Sequence, residues 1–229
     1  FDIAATPCKR DLLGDLATAC RKHGIKLGFY YSHWQDWEAP GGAMPHWKAQ
    51  PADDAFEAYW QGKALPQVAE LIDRYDPDMF WFDTWGDAAK SQITAARRDG
   101  MIKLIRGKSP RCLINGRIAA HDPGTDVDFL EMNDNEVASN WPGRPWQSPA
   151  TMNDSWGWHA KDEPWKPTGE MIRHLSQCAS LGGNYLLNIG PKSDGSIPAP
   201  ALRSLRELGD WMAANKASVQ NTARLGQAP

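Results

Sequence analysis

No run of apolar residues in this 229-residue chain is long enough to cross a bilayer, and no block of Lys and Arg stands apart from the rest. The net charge is −3 and the two signs are interspersed, so neither a membrane nor a nucleic acid is expected as a partner. Cysteine is sparse. Cys8, Cys20, Cys112 and Cys178 show no CxxC spacing, which argues against a zinc site or a disulfide framework and for small buried hydrophobes. The six histidines form no HxxxH or HxH pair that would hold a metal, and His23 and His174 fall on helical patterns as structural residues. An internal repeat, a low-complexity tract, a domain linker, an initiator Met and a signal peptide are also missing. Phe1 to Pro7 runs straight into a helix start, so the chain is expected to begin in the middle of a domain.

Tryptophan, by contrast, is in excess. Twelve indoles, most beside Gly, Pro, Asp or His and few at helical core spacing, are more than a core of this size needs. Indole faces stack on the C–H faces of sugar rings, so the composition favours a carbohydrate ligand, although Trp also fills cores and interfaces.

Apolar periodicity predicts helices over 9–23, 53–75 with Pro66 a potential break, 88–107, 168–181 and 199–216. Strands are predicted over 26–31, 78–83, 111–115, 127–130 and 184–189, with a potential sixth near 150–156. This alternation argues for an α/β fold. A doubly wound sheet would alternate in the same way. A (β/α)8 barrel is preferred because polar residues recur at one end of successive strands: Tyr31 and His33, Asp83, Asn115 and Arg117, Asp128, and Asn188. The expectation is one incomplete barrel domain over 1–229, with no second domain and two or three amino-terminal βα units missing. Residues 142–167, rich in Trp and Pro, read as an active-site loop.

The run Met79-Phe80-Trp81-Phe82-Asp83-Thr84-Trp85 concentrates the chemistry. Four large apolar residues suit a strand buried on both faces, and the turn-forming Asp76-Pro77-Asp78 and Gly86 bound it. The Asp83 carboxylate therefore emerges where strand becomes loop, on the catalytic face of a barrel; capping the next element is its competing role. Trp81, two residues earlier, projects from the same side and can line a sugar subsite.

Several segments carry a family resemblance in their order and spacing: Thr6-Pro-Cys-Lys-Arg-Asp11, Gly28-Phe-Tyr-Tyr-Ser32 with Asp36-Trp37, Trp81-Phe-Asp83, Asn115-Gly-Arg117, Asp128-Phe129, Asn153-Asp-Ser-Trp-Gly157 with Trp165-Lys166, and Gly182-Gly-Asn-Tyr-Leu-Leu-Asn-Ile-Gly-Pro191 followed by Asp194-Gly195. Over nearly its whole length the chain resembles the catalytic barrel of the α-L-fucosidases, glycoside hydrolase family 29. The resemblance implies a retaining glycosidase that needs no metal or organic cofactor, acts on fucosylated oligosaccharides or glycoconjugates, and is exported to the periplasm or outside the cell. Its two carboxylates would lie roughly 5–5.5 Å apart. Asp83 matches the nucleophile, which must be ionised to attack, and a cation such as Arg117 nearby favours that form.

For the acid/base the resemblance implies a Glu several residues after an Asp-aromatic pair. Two follow Asp128-Phe129: Glu136, preferred because Asn133-Asp134-Asn135-Glu136 looks like a loop that leans over a pocket, and Glu131, which continues a strand. A general acid needs desolvation, which Trp141, Trp146 or Trp156 could supply. Tyr31, His33 and Trp34 match a region that contacts fucose, Arg117 an arginine that hydrogen-bonds the sugar, and Trp156 an apolar wall for the C6 methyl. The family's histidine-rich strand end and carboxy-terminal β-sandwich have no counterpart here, so the chain is expected to be a fragment that is inactive alone. An inactive carbohydrate-binding barrel and a retaining glycosidase for another sugar are the competing functions.

Overall fold

A computed structural model describes residues 3–45, 47–222 and Arg224. The chain forms two compact units, Phe1–Asp128 and Phe129–Pro229. Among the described residues no helix is long and apolar enough to cross a membrane.

In the first unit, helix α1 (Leu12–Lys22) starts at Asp11, whose carboxylate caps the Gly14 amide at 2.9 Å. Strand β1 (Gly28–Tyr31) leads through a long loop to helix α2 (Asp53–Tyr59), a π-helical turn (Trp60–Ala64) and helix α3 (Leu65–Tyr75). The helical run widens rather than breaks near Pro66. Proline has no N–H for the normal ladder, and the Leu65 amide reaches back five residues to the Trp60 carbonyl as the next helix begins.

Strand β2 (Met79–Phe82) is followed by helices α4 (Gly86–Gln92) and α5 (Ala95–Lys108), then strand β3 (Leu113–Ile114). A single helix over 88–107 is thus corrected to two. Ile93 leaves helical geometry and Thr94 caps α5, its hydroxyl accepting from the Arg97 amide. The three strands form one parallel sheet in the order β1-β2-β3, with Tyr30 opposite Trp81, Tyr31 opposite Phe82 and Phe80 opposite Ile114. Strand β2 alternates instead of burying both faces. Phe80 and Phe82 are fully enclosed, whereas Met79 and Trp81 are half-buried. The phenylalanines join Phe29, His33 and Tyr75 in one aromatic cluster.

The second unit is a parallel sheet in the order β4-β5-β6, built from β4 (Leu130–Glu131), β5 (Trp146–Thr151) and β6 (Gly183–Asn188), with helix α6 (Thr168–Ser180) before β6 and helix α7 (Ala199–Asn215) after it. Two expectations change here. The strand expected at 127–130 begins only at Leu130, so Asp128 precedes it rather than ending it. The Asp128 carboxylate accepts from the Ile114 amide at 2.6 Å and pairs with Arg106 at 2.7 Å. The strand expected near 150–156 lies four residues earlier and occupies the first part of what read as a loop over 142–167. Proline is rare in a central strand, and Pro149 sits in this one.

Trp146 is buried in the core with Ala138 and Cys178, its indole donating to the Leu181 carbonyl at 3.1 Å. It packs flat where Gly183 passes: a Cβ there would stand 2.2 Å from the indole Cε2. Trp146 is therefore removed from the indoles that could desolvate a catalytic acid. Cys112 and Cys178 are buried as expected, but Cys8 is exposed, because the turn before α1 lies on the surface.

Candidate active site

Asp83 is the first residue past β2, flanked by the carboxyl ends of β1 and β3. Its side chain is held from two directions. The Tyr30 hydroxyl donates to Oδ2 at 2.8 Å, and Arg117 Nη1 meets Oδ1 at 3.1 Å. The main-chain carbonyl of the same residue accepts from Trp34 Nε1 at 2.9 Å. Both charged side chains are largely enclosed, Asp83 at 16% and Arg117 at 11% exposure, so their attraction is screened less than a surface pair's. Desolvation, and then the Asp83 charge, push the Tyr30 phenol above its usual range, which keeps it a donor at neutral pH.

An aromatic layer lies beside this carboxylate. Tyr30 and Trp81 stack at 5.6 Å with 21° between their planes, and the Arg117 guanidinium sits 5.2 Å over the Trp81 ring. The Trp81 Nε1 is buried without a hydrogen-bond partner.

The positions are fixed by side chains that continue the sheet after its ladder has ended. Paired residues of β2 and β3 stop at Phe80 and Ile114. Beyond them the fully buried Asn115 carboxamide accepts from the Phe82 amide at 2.7 Å and donates to the Phe82 carbonyl at 2.9 Å. The turn carrying Arg117 is pinned to Thr84, whose amide and hydroxyl both donate to the Arg117 carbonyl, at 3.0 and 2.9 Å.

Trp81, Arg117 and Trp34 thus gather at Asp83. Tyr31 and His33 face elsewhere: the Tyr31 hydroxyl donates to Gln67 on α3 at 2.6 Å, and His33 is fully enclosed between Trp60 and Phe82 with Nε2 on the Ile118 carbonyl at 2.9 Å. Tyr30, Asn115 and Thr84 were not among the predicted site residues. Tyr30 is singled out only by the register of β1 against β2, which sets it, and not Tyr31, opposite Trp81.

Burial pulls the His33 imidazole from 6.5 down to about 4, so the folded protein holds it neutral, as a donor to Ile118. An unfolded chain takes up that proton near 6.5 and the folded one only near 4. Its contribution to stability is therefore complete above pH 6.5 and is lost as the pH falls toward 4, by up to about 1.4 kcal/mol per pH unit. Urea midpoints measured across this window should fall for the native protein and fall less for His33→Gln; equal slopes would refute the assignment.

In the second unit Glu131 ends β4 half-buried, with Gln147 Nε2 at 3.4 Å from its Oε1. Glu136 is exposed and accepts from Asn133 Nδ2 at 2.8 Å. The loop between them is not loose. Asn135, with φ +63°, takes up the Thr151 amide at 2.8 Å and Lys166 Nζ at 2.5 Å, and Ser148 donates to the Glu136 carbonyl. Trp156 keeps its indole at the surface, and its carbonyl accepts from Asn188 at 2.6 Å. Among the described residues no group of three His, Cys, Asp or Glu side chains is placed to hold a metal ion.

Parallel strands, most of them joined through helices, with an oriented carboxylate beyond one strand end, define an α/β protein of the kind that builds its site at the carboxyl ends of its strands. A family profile described as alpha-L-fucosidase matches residues 1–217. The bovine tissue alpha-L-fucosidase is 27% identical over 216 residues, which is 92% of this chain and 44% of the bovine protein. The chain thus spans less than half the length of that relative. Among solved structures, an alpha-L-fucosidase from Vibrio sp. strain EJY3 superposes with a TM-score of 0.80 at 33% identity, covering 97% of this chain and 39% of that one. An alpha-L-fucosidase from Lactobacillus casei in complex with its alpha-L-fucose product superposes at 0.72 with 30% identity, covering 93% of this chain and 68% of that one. The chain belongs to the α-L-fucosidase family, glycoside hydrolase family 29.

Proposed function

We propose that the protein is a retaining α-L-fucosidase of (β/α)8 barrel architecture that releases α-L-fucose from fucosylated glycans through a covalent intermediate on Asp83. The observation that carries this reading is the Asp83 carboxylate, oriented through both oxygens by Tyr30 and Arg117 beside the face of Trp81. Two fixed donors leave each oxygen a free lone pair, so the group is aligned for attack at the anomeric carbon without first shedding a full water shell. One Asp83 oxygen forms the bond to that carbon while the bond to the leaving oxygen breaks. A proton from a glutamic acid, Glu136 by preference and Glu131 otherwise, neutralises the leaving group. The resulting glutamate then takes a proton from water, which displaces Asp83 and restores the carboxylate.

Arg117 faces negative charge before attack and after release. In the intermediate, where Asp83 is an ester, its guanidinium can turn its hydrogen bonds to a sugar hydroxyl. Trp81, stacked on Tyr30 and packed under Arg117, lines the sugar subsite in this reading, and Trp156 offers an apolar wall for the C6 methyl. Tyr31, His33 and Trp34 act in this reading mainly by shaping the site from behind its first layer.

Proton NMR during hydrolysis of an aryl α-L-fucoside tests the reading. The first sugar formed should be the α anomer, before mutarotation mixes the two. Initial β-fucose would overturn retention. Hydrolysis of another aryl glycoside in its place would overturn the sugar, and binding of fucose without turnover would leave a lectin-like protein.

A further inference from the structure

The loop between β1 and α2 carries two tryptophans that neither the core nor the Asp83 cluster uses. Trp37 is 59% exposed and Trp47 68%, yet their rings meet edge to face with centroids 6.5 Å apart and planes at 63°. Leaving two indoles in water forfeits the burial that usually stabilises a fold, roughly 25 cal/mol for each Å² of apolar surface.

The backbone of this loop folds on itself. The Ala43 amide donates to the Trp34 carbonyl at 3.0 Å, and Gln35 bridges Ala43. The Asp36 carboxylate collects the Glu38 and Ala39 amides at 3.1 and 2.9 Å and pairs with Lys63 on the π-helical turn. Gln50 accepts from the Met44 amide at 3.1 Å and donates to its carbonyl at 2.9 Å. Gly41, at φ +80°, lies so close to α2 that a Cβ would stand 2.1 Å from the Ala55 carbonyl oxygen. The two indoles are thus displayed by a stiff scaffold, and a ligand would meet surfaces that are already ordered.

The root of the loop is tied to the candidate nucleophile. Trp34, three residues before Trp37, is buried with its Nε1 on the Asp83 carbonyl, and its ring packs edge-on against Trp85 at 5.8 Å. The loop therefore rises from the same end of the sheet as Asp83.

We propose that Trp37 and Trp47 form a stacking ledge for a pyranose ring of the leaving-group saccharide, beyond the fucose itself. This rests on the fucosidase reading above. The two exposed indoles, set at 63° to each other, offer apolar ring surface suited to the flat C–H side of a sugar with its hydroxyls left in water. The ledge gives the enzyme affinity for glycans over small fucosides.

The test compares two substrates. α-L-Fucosyl fluoride has no leaving-group sugar, and a fucosylated tetrasaccharide has three. Trp37→Ala and Trp47→Ala should each lower kcat/KM on the tetrasaccharide roughly tenfold, mainly through KM, while the fluoride changes less than about twofold. Trp37→Phe, which keeps a ring, should recover part of the loss. Equal losses on both substrates, or none on either, would overturn the ledge.

Should the native protein turn over no fucoside, the activity reading fails by itself. Saturation-transfer NMR with the defucosylated trisaccharide then still decides the ledge. Signals that vanish in Trp37→Ala sustain it, and signals that persist unchanged overturn it.

Discussion

Replacing Asp83 by alanine is expected to lower kcat/KM for an aryl α-L-fucoside by at least about 10³-fold, equivalent to about 4 kcal/mol of transition-state stabilisation. The fold should survive, because the link from Trp34 runs to the main-chain carbonyl, which alanine retains. What disappears is the group that bonds to the anomeric carbon, together with the anion facing Arg117. The space left beside that guanidinium suits a small anion. Added azide should therefore restore aryl release and yield β-L-fucosyl azide, since it attacks from the side Asp83 used and no second displacement follows. Full activity in Asp83→Ala would exclude this residue as the nucleophile, and rescue giving the α azide would exclude its position.

The second large effect separates the two glutamates. Glu136→Ala is expected to reduce turnover of a fucosyl disaccharide by about 10²- to 10⁴-fold, the usual range for a lost general acid, and to spare an activated dinitrophenyl fucoside in its first step. The reason is the leaving group. A sugar alkoxide needs a proton as its bond breaks, whereas dinitrophenolate departs unaided. Each candidate has a structural argument. Glu136 sits on a loop fixed by Asn135 and Ser148, and Glu131 ends a strand half-buried. If the leaving-group dependence follows Glu131→Ala and not Glu136→Ala, the acid is Glu131.

The elements that could be read in advance were those whose side chains obey one rule at a time. Strand β2 announced itself because four large apolar residues end in a carboxylate, and α7 because its apolar positions recur at helical spacing over 199–215. Strand β5 was displaced because Pro149 contradicts a central strand, and only pairing on both sides, to β4 and β6, overrides that preference. The break between α4 and α5 was hidden because the periodicity runs through it, with Ile93 buried like Met101, Ile102 and Ile105. Within the site, Asp83 and Arg117 could be foreseen as partners by charge. The choice of Tyr30 over Tyr31 depends on strand register, and two adjacent residues of the same type leave composition silent. The pairing of Asn115 with Phe82 needs the offset between β2 and β3, which local sequence does not encode.

That amide has a bearing on how the protein ages. Asn115 precedes Gly116, and asparagine before glycine is the pair most prone to deamidation, because an unhindered backbone nitrogen can reach the carboxamide carbon. Here both ends of the carboxamide are tethered to Phe82 and the side chain is enclosed, so in the native state it is held away from cyclisation. Deamidation would replace a donor with a carboxylate oxygen facing a carbonyl, one residue before Asp83. The shelf life of the site is therefore set by how often this sheet end opens, and chemical damage should accumulate there first in protein stored under partly unfolding conditions.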